Sequence, residues 1–210
     1  MKGDGARREG KEDVVPKAAK ESDISKIKAD YKACAKRAKR AGFDGIELHC
    51  GYGYLLDCFL RDGTNQRTDK YGGSIEGRCR LPLDILDILI GVFGADRCGI
   101  KLTLHNSHND MSDKDPDRLL AHLISKLNAR KVAFLEMAEG LGQGMDNDIN
   151  IIKDKFNERF KSTFKGTWIS GFGYTYDTAN DHIKKGWTDL VAFGWLYVSN
   201  ADLVEKFATG

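Results

Sequence analysis

Strand-type and helix-type segments alternate along this chain, and that alternation constrains the fold more than any other feature. Five apolar runs read as strands, at 45–48 (leading into His49), 98–104, 132–137, 167–170 and 190–193. Between them, apolar residues recur at helical spacing. Ser22 or Asp23 is the expected cap of a helix with Ile24, Ile27, Tyr31, Cys34 and Ala38 on one face, stopped by Gly42. Ser74 opens a second helix running to about Phe93 before Gly94, with Ile75, Cys79, Leu83, Leu86 and Ile90 facing the core. Asp115 followed by Pro116 is a cap with proline in the first turn, leading into Leu119, Leu120, Leu123, Ile124 and Leu127. Ile149, Ile152, Phe156 and Phe160 mark a charged helix, Asp177 is the expected cap of another closed by Gly186, and the last helix is expected to start near Asn200.

Such alternation is the signature of βαβ units and a parallel sheet. A doubly wound sheet fits five strands. Two features favour a (β/α)8 TIM barrel: the chemistry-bearing residues sit at strand C-termini, and the last two strands each enter a glycine-containing turn, where barrels of this type hold phosphate. A complete barrel takes about 250 residues, so this α/β chain is expected to be a partial barrel of about five βα units, with three strands missing. Its two open strand edges then invite self-association. Residues 1–21 are polar and charged and are expected to form a flexible tail, with the truncated barrel domain at 22–210.

Bulk composition excludes several classes. At 41% hydrophobic and 30% charged, with formal charge +2, the chain offers no argument for nucleic acid or an anionic membrane surface. No apolar run approaches a membrane span and the N-terminus is polar, so a cytoplasmic protein is expected. Five cysteines without a C-x-x-C pair read as reduced thiols, neither a disulfide frame nor a zinc site. His105 and His108 have ligand-like spacing but lack acidic or cysteine partners beside them, so no metal is expected and the loop reads as a lid.

The stretch 43–80 carries a family resemblance. FDGIELH, followed by Tyr52, Gly53, Tyr54, Leu55, Leu56, Phe59 and Leu60, and then by Arg67, Thr68, Asp69, Tyr71, Gly72, Gly73, Ser74 and Arg78, is similar to the fourth strand and following loop of the old yellow enzyme family. These are FMN-dependent NAD(P)H oxidoreductases acting as ene-reductases. The resemblance runs over 22–208, the family's C-terminal half, which implies five C-terminal βα units of the barrel with strands 1–3 missing. It implies bound FMN, NADH or NADPH as reductant, and an α,β-unsaturated carbonyl (enone-type) substrate that accepts hydride from the reduced flavin.

The resemblance also implies roles. His49 hydrogen-bonds the substrate carbonyl, a form of oxyanion stabilisation. Tyr54 is the proton donor, since a phenol is neutral at pH 7 and can serve as a general acid. Tyr52 stands where the family has a second carbonyl donor, asparagine or histidine. Lys101 stands where an arginine flanks the flavin, keeping the charge without the two-pronged geometry. Gly171, Phe172 and Gly173, with Gly194 and Trp195, match the FMN phosphate turns, whose backbone N–H groups bind the anion. At Trp195 the family has arginine, and losing that charge-assisted contact weakens phosphate binding by roughly 1.5–3 kcal/mol. Arg67, Asp69 and Arg78 read as loop-ordering ion pairs, and Glu136 as a residue that could face the cavity. Two readings therefore stand. One is an ene-reductase of this family. The other is a catalytically inactive remnant or interaction module whose FMN site is weakened or lost.

Overall fold

The computed structural model describes residues 17–138 and 157–209. Helix α1 (Glu21–Arg40) leads into strand β1 (Ile46–Cys50). A short helix α2 (Leu55–Leu60) and the long α3 (Ile75–Phe93) follow, then β2 (Cys98–Leu102), α4 (Pro116–Arg130) and β3 (Phe134–Ala138). After a helical turn at 157–160 come β4 (Thr167–Gly171), α5 (Tyr176–Lys184), β5 (Leu190–Ala192), α6 (Trp195–Ser199) and α7 (Leu203–Thr209). The five strands are all parallel and lie in the order β1-β2-β3-β4-β5. A doubly wound sheet reverses direction at a switch point. This sheet does not. Right-handed crossovers between sequential neighbours stack on one face, where α3 and α4 lie, and that is the pattern of an arc of a barrel. The structure is thus a partial barrel of α/β type.

The strand pleat sorts side chains between two faces. Leu48, Cys50, Ile100, Leu102, Leu135, Met137 and Trp168 point to the helix-covered face, and all are buried. They join Leu81, Ile85, Leu86 and Leu89 of α3 and Leu119, Leu120, Leu123 and Leu127 of α4 in one continuous core. The alternate residues face the other way. Glu47, His49, Lys101, Phe134, Glu136, Ile169 and Leu190 are all exposed or half-exposed. Register groups five of them into one layer across the sheet: His49, Lys101, Glu136, Ile169 and Leu190.

Several local expectations need correction. Helix α1 begins at Glu21, and the Lys20 N–H donates to the Asp23 carboxylate at 2.8 Å, so Asp23 caps from inside the first turn. The cap of α5 is Thr175, whose hydroxyl accepts from the Thr178 N–H, and Asp177 lies within the helix. The expected final helix is α7, which starts at Leu203, and a further short helix, α6, precedes it from Trp195. The apolar stretch after Tyr54 is the helix α2. Ser74 and Asp115 cap as expected, accepting from the N–H groups of Gly77 and Arg118. Residues 1–16, most of the expected tail, and Ile149, Ile152 and Phe156 of the expected charged helix lie outside the described residues.

A buried arginine ties the loops together. Arg78 donates from Nε to the Leu60 carbonyl (2.7 Å), from Nη1 to the Gly73 carbonyl (3.2 Å) and from Nη2 to Asp113 (3.2 Å). Asp113 in turn accepts from the Asp62 N–H at 2.9 Å. Arg67 pairs with Asp69 through two bonds and donates to the Ala19 carbonyl. One residue before Arg78 in α3, Gly77 sits so close to the preceding chain that an added Cβ would lie 2.2 Å from the Gly72 carbonyl oxygen. Glycine to alanine normally stabilises a helix by about 1 kcal/mol. Here the sign inverts. Gly77→Ala is expected to cost about 1–3 kcal/mol in a denaturant titration, as other overpacked sites do.

Candidate active site

The site is built at the C-terminal ends of the strands, on the open face. His49 is the last open-face residue of β1, and the chain then turns sharply through Tyr52, which adopts a left-handed conformation (φ 56°). That conformation is uncommon for a bulky residue and needs support. Support comes from both sides: the Tyr52 N–H donates to Thr103 Oγ1 at 2.7 Å, and its carbonyl accepts from Asn109 Nδ2 at 2.7 Å. Next to it the Gly53 N–H donates to the buried Asp57 carboxylate at 2.9 Å, and the Tyr54 N–H donates to the Gly51 carbonyl. The turn is therefore held by α2 below and by the loop after β2 above.

This turn gathers the aromatic residues. The Tyr52 ring lies nearly parallel to His49 (14°), with centroids 5.9 Å apart. Tyr54 approaches His49 at 5.7 Å from another side, and its ring is 60% exposed. His108 meets the edge of Tyr52 at 6.1 Å. The loop expected to act as a lid is fastened instead: Arg61 donates to the Thr103 and Asn106 carbonyls, the Gly63 N–H bonds Ser112, and His105 pairs with Asp117 at 2.8 Å. Among the described residues no group of histidine, cysteine and acidic side chains is arranged to hold a metal.

Charge on the open face is concentrated in three residues. Lys101 Nζ lies 2.5 Å from Glu136 Oε1 and 5.9 Å from the centre of the Tyr52 ring. Glu47 lies one layer below His49, and burial together with the neighbouring Glu136 charge lifts its carboxyl to about 7 against the pull of Lys101. Glu136 also borders β4: a Cβ on Gly171 would sit 3.4 Å from its Oε1. Burial lowers the basicity of Lys101, but its bond to Glu136 and the surrounding negative charge outweigh that and raise it overall. Burial and the neighbouring Lys101 lower His49, outweighing Glu136 and a hydrogen bond to the Gly51 backbone, so the ring is neutral at pH 7.

The two glycine turns lie at the same end of the sheet. Gly171 ends β4, and Phe172 and Gly173 both take positive φ (77° and 74°). Gly194 precedes α6, and a Cβ there would meet nothing within 4 Å. Phe172 and Trp195 bring the turns together, with ring centroids 6.5 Å apart, and Trp195 is 79% exposed. Neither turn carries lysine or arginine between 171 and 175 or between 193 and 196. Glu47, Thr103, Asn109 and Asp57 were not singled out in the sequence. Only Glu47 carried a signal, since strand alternation puts it on the His49 face.

Fold and site together define the class: the C-terminal part of a flavin-type (β/α)8 oxidoreductase. The family model described as the NADH:flavin oxidoreductase / NADH oxidase family matches residues 2–210, further toward the N-terminus than the expected 22–208. The chain belongs to that family. It is 34% identical over 203 residues to 12-oxophytodienoate reductase 7 of Oryza sativa subsp. japonica, covering 91% of this chain and 52% of that protein. Among solved structures it superposes on morphinone reductase in complex with tetrahydroNAD with TM-score 0.83 at 36% identity, covering 92% of this chain and 51% of that one. The old yellow enzyme homologue from Zymomonas mobilis gives TM-score 0.83 at 29% identity, covering 93% and 54%. The chain spans about half the length of these relatives.

Asp57 gives a test of how the turn is held. Burial raises its carboxyl to about 6, against the Gly53 N–H and Arg61, which pull it down. A raised carboxyl penalises the ionised folded state above pH 6, and the penalty is relieved as pH falls toward the unfolded value. Asp57→Asn removes this term. Its stability relative to wild type is expected to be more favourable at pH 7.5 than at pH 5 by about 1 kcal/mol, read from urea titrations at both pH values.

Proposed function

We propose that this chain carries the substrate-orienting and proton-donating side of an FMN-dependent ene-reductase that uses NADH or NADPH and acts on an enone-type small molecule. The observation that carries this is the convergence of His49 and Tyr54, 5.7 Å apart, at the strand ends that also bear the glycine turns. The donor set fits FMN: one lysine on the open face for a ring anion, and glycine turns whose backbone can approach a phosphate. With no cation in those turns, phosphate binding falls to backbone N–H groups. Lys101 and the backbone N–H groups of the turns at 171–173 and 194–195 would hold FMN, which when bound and reduced would supply hydride for the alkene.

The chain's own residues do the rest. Neutral His49 donates a ring N–H to the substrate carbonyl oxygen and stabilises the negative charge that develops there. The Tyr54 phenol gives its proton to the alkene carbon beside the carbonyl, so the product gains one hydride and one proton. Its exposure lets solvent return the proton. Tyr52, stacked flat on His49, presents its ring face to the imidazole and fixes that ring's plane.

A second reading is an inactive remnant that persists as an interaction module. It is favoured by the uncharged, exposed Trp195 and by exposed Leu190, Tyr197 and Val198 at the β5 edge, a surface suited to self-association. Titration of FMN into the purified chain separates the two. Binding with the absorbance of a held flavin, and NADPH oxidation that depends on an added enone, support the reductase. A chain that stays colourless overturns it. In the loaded protein Tyr54→Phe is expected to reduce turnover about 10²–10⁴-fold with FMN affinity unchanged, as loss of a general acid does.

A further inference from the structure

Lys101 is the only lysine or arginine in the five strands, and it stands in the same layer as His49. An anion held between His49 and the turns of β4 and β5 lies over β2 and β3, and so over Lys101. Yet that ammonium is already engaged by Glu136 at 2.5 Å, on the side toward Gly171. Glu47 stands one layer lower on β1, close enough to Glu136 for that charge to raise the Glu47 carboxyl. Two carboxyls and one ammonium thus share the floor of the site, from three adjacent strands.

We propose that Glu136 and Glu47 set how much positive charge Lys101 presents to an anion bound over the open face, and so tune how tightly the site holds reduced, anionic flavin relative to oxidised flavin. This rests on the flavin reading above. Glu136 is a positioning residue: it touches Lys101 and acts through it. When Glu47 is protonated the floor carries one negative and one positive charge. When Glu47 ionises, the floor becomes net negative and disfavours an anion above it. Lys101 from β2 and His49 and Tyr52 from β1 and its turn stand around Glu47 and Glu136, Asp44, Asp96 and Arg97 line the cavity that Glu47 borders, and β4 and β5 contribute Ile169 and Leu190 to the His49 layer. Glu47 changes charge near pH 7, inside the working range of such a site.

Glu136→Gln and Glu47→Gln test this in the full chain. Without flavin, carbon-13 NMR of the glutamate carboxyls is expected to show one titrating near 7 in wild type, the same one shifted to lower pH in Glu136→Gln, and none there in Glu47→Gln. With FMN, the ratio of oxidised to reduced dissociation constants is read from the affinity of oxidised FMN and the midpoint potential of the bound form. Glu136→Gln is expected to raise that ratio about tenfold, a midpoint about 30 mV higher for a two-electron couple. Glu47→Gln is expected to leave it unchanged at pH 6 and to raise it at pH 8, and this variant carries the test if Glu136→Gln does not fold. FMN binding to Glu136→Gln but not to wild type also supports the proposal. An unchanged ratio in loaded variants, or no carboxyl titrating near 7 in wild type, overturns the proposal and leaves the flavin reading standing. Failure of all three chains to bind FMN, with that titration intact, overturns the flavin reading and this inference with it.

Discussion

The pleat of a parallel sheet covered on one face by helices is the constraint on which the rest depends. Because strand side chains alternate, the burial of Leu48, Cys50, Ile100, Leu102, Leu135, Met137 and Trp168 beneath α3, α4 and their neighbours forces the residues between them onto the opposite face. Those residues are Glu47, His49, Lys101 and Glu136. Each apolar side chain buried in the core contributes about 1.5–3 kcal/mol, far more than an exposed or half-exposed polar contact can oppose. A one-residue slip would bury four ionisable groups and expose the core, so register is strongly specified. Core packing and site geometry are therefore one decision. The hydrophobic face fixes where the polar face must be.

The polar side of the sheet would be a liability in a closed core, since unpaired buried charge is costly. Here its charges compensate one another locally. Lys101 answers Glu136, and the Glu47 carboxyl is raised to about 7 beside them. The same economy holds in the loops, where buried Arg78 and Asp113 knit the segment after α2 to the segment after β2, and backbone carbonyls absorb the remaining donors. That knitting gives the turn at 51–54 its fixed shape, with Tyr52 held in a left-handed conformation by Thr103 and Asn109. Strain at one residue is supported by bonds from two other elements, a pattern associated with sites where side-chain direction matters.

All five strands and the caps at Ser74 and Asp115 were legible in the sequence, because they depend on local periodicity and on a side chain reaching a backbone group three residues away. The misread starts of α1 and α5 follow from the same principle. Several residues there could cap, and the choice falls to packing. His49, Tyr54, Lys101 and the glycine turns were legible as a group through a motif tied to strand ends. The partnership of Glu47 with Glu136 was not. The two are 89 positions apart by subtraction of their numbers, and only the alignment of β1, β2 and β3 brings them together.

By itself the sequence determined the βα rhythm, the family to which the chain belongs and the residues placed at the strand tips, since each is written in neighbouring positions. Tertiary structure alone decided that the strands run in unbroken order as an arc, that Tyr52 lies flat on His49, and that Lys101 spends its charge on Glu136. Those outcomes depend on which strands become neighbours and in what register. Pairing across a sheet is a long-range choice, made when the helix-covered face closes and carries the polar face into place with it.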